Sequence, residues 1–159
     1  MKKGQAAMEF LMTYGWAILV VIAAIAALAY FGVLNPQNWL PEKCEFPPNG
    51  LTCLGKTASL TNGVTISLRN SVSGMPITVS DATLAECTGS AEIAVGLSSN
   101  TFAAIANTTV PANEAFKLQW DTCPGLVAGR YDGAPVITYT SQVDGLTKSD
   151  TGSIKAKVA

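Results

Sequence analysis

The chain has 159 residues, a length suited to one modest domain with an appendage, and a formal net charge of −1 with no histidine. The missing imidazole excludes Ser-His-Asp and Cys-His nucleophile systems and histidine-based metal sites. Charged residues make up only 13% of the chain and form no basic stripe, so the composition excludes phosphate neutralisation and nucleic acid as a partner.

The first element is "FLMTYGWAILVVIAAIAALAYFGVL", Phe10 to Leu34, an apolar run without a single charge. As a helix it would span about 37 Å, enough to cross a hydrocarbon core of about 30 Å. Lys2, Lys3, Gly4 and Gln5 precede it, and Glu9 stands at its front. A charge at the centre of a bilayer costs about 2.5–3.5 kcal/mol on insertion scales. Glu9 therefore needs either an edge position or a partner.

Four readings of this segment differ in how they treat Glu9. A secretory signal would use Lys2 and Lys3 as its basic start and Ala27 to Ala29 as its cleavage site. Its apolar stretch is too long, however, and Glu9 and Tyr14 interrupt the beginning. A plain anchor would hold the basic end in the cytoplasm and leave Glu9 unexplained. Alternatively, Glu9 sits at the headgroup level beside Lys2 and Lys3. The fourth reading is a polymerisation helix. A cut after Gly4 makes Gln5 a free amine and Glu9 the fifth residue, so that each Glu9 can meet the amine of a neighbouring copy. Such pairing is what makes a buried charge tolerable, and it sets register more than it adds net stability.

"KKGQAAMEFLMTYGWAILVVIAAIAAL" resembles the class III signal peptide of archaeal type IV pilins of the adhesion type. The matching features are Lys2, Lys3 and Gly4, then Gln5, Glu9 and the long apolar helix. The resemblance implies that a prepilin peptidase cuts between Gly4 and Gln5, and that Glu9 is the assembly carboxylate. It further implies that the mature helices bundle with identical subunits into a helical filament, driven by an assembly ATPase on a membrane platform protein. The precursor would sit in the membrane and the product on the cell surface. Archaellins carry a related signal whose helix start usually lacks the "AAMEFLMTYGW" run, so they rank second. A monomeric, membrane-anchored binding domain is the competing class.

Helix composition fits bundling. Ala17, Ala23, Ala24, Ala26, Ala27 and Ala29 permit close backbone approach, as small residues do in apolar surroundings. Phe10, Tyr14, Trp16, Tyr30 and Phe31 lie towards the two ends, where aromatic residues anchor at membrane interfaces.

Asn35-Pro36, Pro41 and Pro47-Pro48 stop the helix and define a neck. The expected organisation is a leader at 1–4, an assembly helix at 5–34, a neck at 35–55 and a β-rich head at 56–159. Within the head "GVTISLRN", "AFKLQWD" and "GSIKAKVA" alternate apolar and polar residues. "PITVSDATLAEC", "AEIAVGL" and "PVITYTSQV" are further strand candidates. Turns are expected at Asn49-Gly50, Asn62-Gly63, Asp132-Gly133 and Asp144-Gly145. About seven strands at this spacing predict an α+β chain whose head is an antiparallel β-sandwich. "ISLRNSVSGMPITV" and "FKLQWDTCPG" extend the pilin resemblance into the head.

Cys44, Cys53, Cys87 and Cys123 all follow the apolar run, and no pair has CxxC spacing. Four cysteines beyond a membrane segment read as two disulfides in an oxidising space, with three pairings open. Cys44 with Cys53 would close a local loop, and Cys87 with Cys123 would join two strands. "NTT" at Asn107 is a sequon in a polar stretch expected to be an exposed loop. Asp81, Glu86, Glu92, Asp121 and Asp132 are scattered, and "DGLTKSD" reads as a hairpin rather than a calcium loop. No catalytic group, cofactor or metal is expected.

Overall fold

A computed structural model describes the backbone of residues 3–31 and 41–158, with side chains from Ala7 onward in the first segment. The expected helix residues 32–34, the Asn35-Pro36 stop and Lys2 of the leader lie outside the described residues. Two units divide between Leu40 and Pro41. The first contains the helix α1, Lys3–Tyr30, ended by a hydrogen bond from the Phe31 N–H to the Ala27 carbonyl at 3.0 Å. No proline interrupts it. An all-apolar segment satisfies its backbone best as a helix, because each N–H and C=O then finds its partner within the segment. Thr13 Oγ1 donates to the Glu9 carbonyl at 2.8 Å, which satisfies one of the few polar side chains on this helix.

The described residues of the second unit hold twelve strands: β1 Lys43–Glu45, β2 Leu51–Ser59, β3 Gly63–Asn70, β4 Ile77–Thr83, β5 Glu92–Val95, β6 Ala103–Ala104, β7 Thr108–Val110, β8 Ala115–Trp120, β9 Gly129–Gly133, β10 Val136–Ser141, β11 Thr147–Thr151 and β12 Ser153–Val158. The larger sheet runs β1-β12-β2-β3-β8-β5-β6, with β9 also on β12, and the smaller runs β11-β10-β4-β7. The chain is α+β as expected. The plain antiparallel sandwich of about seven strands is corrected: the larger sheet is mixed, because β12 pairs β2 in parallel at Val158 and Ala58. Strand structure also starts before Lys56, since β1 and the first residues of β2 lie in the stretch expected to be neck.

Period-two alternation places the core. Val64, Ile66 and Leu68, Phe116, Leu118 and Trp120, and Ile154, Ala156 and Val158 are all buried, as their patterns require. Ile77, Val79, Ile137 and Tyr139 from the smaller sheet complete the same cluster. Burying each large apolar side chain contributes about 1.5–3 kcal/mol. Trp120 joins the sheets twice, by packing and by donating its indole N–H to the Ala82 carbonyl at 3.3 Å. The β2–β3 turn depends on Gly63 at φ 67°, where a side chain would also strike the Trp120 carbonyl. Asp132-Gly133, expected as a turn, instead ends β9 and pairs with β12.

Asn70 is fully buried at the end of β3 and gathers the loops around it. Its Nδ2 donates to the carbonyls of Met75, Pro111 and Val110 at 2.9, 3.0 and 3.3 Å, and its Oδ1 accepts the Val72 N–H at 3.1 Å. Asn70→Asp keeps the shape but removes the donor, leaving a carboxyl against three carbonyls. Urea unfolding of this variant should show a loss of about 2–4 kcal/mol, the scale set by buried polar groups left unsatisfied.

Candidate functional site

The sequence-derived assembly residues lie on α1. The Gly4–Gln5 bond falls in its first turn, where the amide groups have no partners within the helix. Glu9 lies one turn further on and is exposed, and the ion pairs among the described residues all belong to the second unit. From Ala7 to Tyr30 the helix is long and apolar enough to cross a membrane, with a mean hydropathy of 2.3. Its large apolar side chains run from 45% exposed at Leu28 to 87% at Tyr30. An apolar surface of this extent demands lipid or protein to cover it. Phe10 and Tyr14 pack with ring centroids 4.6 Å apart. With Ala17, Ile18, Val21 and Ile22 they line a shallow apolar notch of about 390 Å³.

The four cysteines form two disulfides, Cys44–Cys53 and Cys87–Cys123. The first ties β1 to β2, two strands that occupy successive positions along one edge of β12. A 3.3 Å ion pair between Lys56 and Glu42 reinforces the same junction, and the Phe46 ring lies flat against Gly152. The second disulfide joins the segment after β4 to the segment after β8, beside Trp120. Both bonds fit the two-disulfide reading of an oxidising environment.

Asn107 is exposed, at φ 53°, immediately before β7. The stretch expected to be a loop contains two short strands, β6 and β7, so the sequon sits at a strand start with Thr109 outward on β7. "DGLTKSD" is the β10–β11 hairpin as expected, with Gly145 N–H bonded to the Ser141 carbonyl at 2.9 Å. Lys148 lies 2.8 Å from Asp144 and holds that carboxyl below its ordinary range.

Most of the scattered acids have structural partners. Asp81 caps the Ala82 N–H at 2.8 Å, Asp121 accepts the Gln119 amide, and Asp132 pairs with Lys155 at 3.2 Å. No three His, Cys, Asp or Glu side chains converge as a metal ligand set among the described residues.

Sequence reasoning missed two phenol–carboxylate pairs. Tyr131 donates to Glu86 Oε2 at 3.0 Å, and Tyr139 donates to Asp150 Oδ2 at 3.1 Å. Asp150 Oδ2 also accepts the Leu51 N–H at 3.4 Å, so one carboxylate links the smaller sheet to the start of β2. Burial first, and then the neighbouring acid, raises both phenols; Tyr139 is pushed up to about 12 from 10.0. The unfolded chain releases these protons near pH 10, whereas the folded chain keeps them. Stability should thus be intact below pH 10 and fall as pH rises from 10 towards 12. Thermal melts across that range should show the decline, and Tyr139→Phe should flatten it. A single carboxylate sharing two strands leaves no motif in the sequence, which is why the pattern was not visible there.

No family model, curated protein or solved structure matches this chain.

Proposed function

We propose that the chain is a prepilin, the precursor of a structural subunit of an extracellular archaeal type IV-like pilus used for surface adhesion. The observation that carries the reading is the exposed helix: more than five turns of uncharged apolar surface, with Glu9 at its head and Gly4–Gln5 one turn before it. Residues 1–4 are the leader, and 5–34 form the filament core. The rest of the chain forms the outer layer, its strands stapled by two disulfides. A prepilin peptidase removes the leader while the helix is held in lipid. An assembly ATPase and its membrane platform then exchange lipid for sister helices. Small residues along α1 permit close contact in that bundle, and the amine of Gln5 in one copy neutralises Glu9 in the next. A glycan on Asn107 would solvate the outer surface. The subunit performs no catalysis.

Electron micrographs of material sheared from cells test this reading. Fibres containing this chain are the expected result, and single membrane-bound particles would favour an anchored binding domain.

A further inference from the structure

The register of the smaller sheet arranges its outward side chains in rows. The first row reads Thr109, Thr78, Thr140 and Thr147, one threonine from each of β7, β4, β10 and β11. The second contains Asp81, Thr138 and Ser149, with the bulged Ser80 beside it, and the third contains Thr83, Val136 and Thr151. Their inward neighbours Ile77, Val79, Ala82, Ile137 and Tyr139 are buried, so strand alternation points these hydroxyls out. Sheet geometry spaces them by about 4.8 Å across strands and about 6.8 Å along them. Some are already paired: Thr140 with Thr147 at 3.1 Å, and Thr138 with Ser149 at 3.0 Å.

Strand propensity alone would put threonine on both sheets equally. The outward face of the larger sheet also carries hydroxyls, Thr57, Thr65 and Ser67, but sets them among the charges of Arg69, Lys117, Arg130, Asp132, Lys155 and Lys157. Among the described residues of the three rows, the one formal charge is Asp81, at the border, with Oδ1 occupied by the Ala82 N–H. The free edge of β4 beyond β7 is closed as well, because Ala82 gives its N–H to Asp81 and its carbonyl to Trp120. This sheet therefore offers its face to a partner and withholds that edge from strand addition.

We infer that this face binds a neutral polysaccharide. A hydroxyl donates one hydrogen bond and accepts two, so a paired hydroxyl keeps spare capacity. A neutral polyol matches such a grid group for group. A polyanion would find no countercharge in these rows, a polycation only Asp81 at the border, and an apolar segment little beyond Val136 and the threonine methyls. Each bond merely replaces one to water and is weak alone. Repetition supplies the affinity, and this step rests on the proposed filament, which displays the face once per subunit. Linked sites gain about 10²–10⁴-fold over single ones.

The test couples the full-length chain to beads at high density, so that multivalency does not depend on filament formation. The beads are mixed with cellulose, mannan, dextran and starch. Retention on at least one is expected, unchanged between low salt and 1 M salt. Thr140→Val with Thr147→Val should cut retention at least fivefold, and Thr140→Lys likewise, with unchanged circular dichroism. Thr65→Val with Ser67→Ala, on the outward face of β3, should leave retention as it is. No retention on any of the four polymers would overturn the inference, as would equal retention by the threonine variants or loss in salt. Hexose found by mass spectrometry on these threonines in the native chain would overturn it too, because the face would already be covered. If binding persists while sheared cells yield no fibres, the filament reading fails and the face stands.

Discussion

Glu9→Gln is expected to lower filament yield at least about a hundredfold while leaving cleavage after Gly4 intact. The substitution keeps size and hydrogen-bonding capacity and removes only the charge. In the proposed core, the ammonium of a neighbouring Gln5 would then be buried without a counterion. Breaking one side of a buried pair costs about 3–5 kcal/mol, and about 1.4 kcal/mol is a tenfold change in an equilibrium. Glu9→Asp, which retains the charge on a shorter arm, should recover part of the yield. The measurement is sheared filament mass per cell, with leader removal followed separately by mass spectrometry. Wild-type yield from Glu9→Gln would remove the docking role and return Glu9 to the headgroup position. Thr13 does not compete for this role, since its hydroxyl is spent on the Glu9 backbone carbonyl rather than the carboxylate.

The second large effect concerns the disulfides. Cys87–Cys123 closes a separation of 36 residues and Cys44–Cys53 one of 9. Loop-closure entropy in the unfolded chain then gives about 4 kcal/mol for the longer bridge and about 2.5 kcal/mol for the shorter. Replacing Cys87 and Cys123 together by alanine should lower Tm by about 15 °C, and replacing Cys44 and Cys53 by about 10 °C. Thermal melts of both variants in detergent give the comparison. The reverse order would mean that the shorter bridge matters through the native junction it guards, where Lys56 meets Glu42, and not through the unfolded chain.

The parts of this fold that were legible in the sequence share one physical property: a strand buried on one face must alternate. β3, β8 and β12 do so cleanly, and their inward residues are buried to the last one. β9 and β11 did not announce themselves. "GRYDG" brings one buried tyrosine to a sheet, and "TKSDT" is polar at every position because it lies at an edge and has little to bury. The parallel contact between β12 and β2 leaves no local mark, since a single bridge at Val158 depends on how distant strands fold back. The apolar helix could be read because a long uncharged run has few physical explanations. The threonine rows could not: Thr78, Thr109, Thr140 and Thr147 are separated by up to tens of residues and become neighbours only through register.

The Asn107 sequon illustrates an intermediate case. A sequon is visible as three letters, and its exposure was expected, but the short β7 behind it was not. That strand fixes Thr109 outward on the smaller sheet, two residues after the exposed Asn107.

At the root of this account, one rod-like segment lives in two greasy surroundings in turn, lipid and then its own kind. The intact mass of the chain in washed, sheared surface fibres tests that most directly. A polypeptide beginning at Gln5, in fibres built from this subunit, is the predicted result. A chain still beginning at Met1, recovered as single particles, would contradict it.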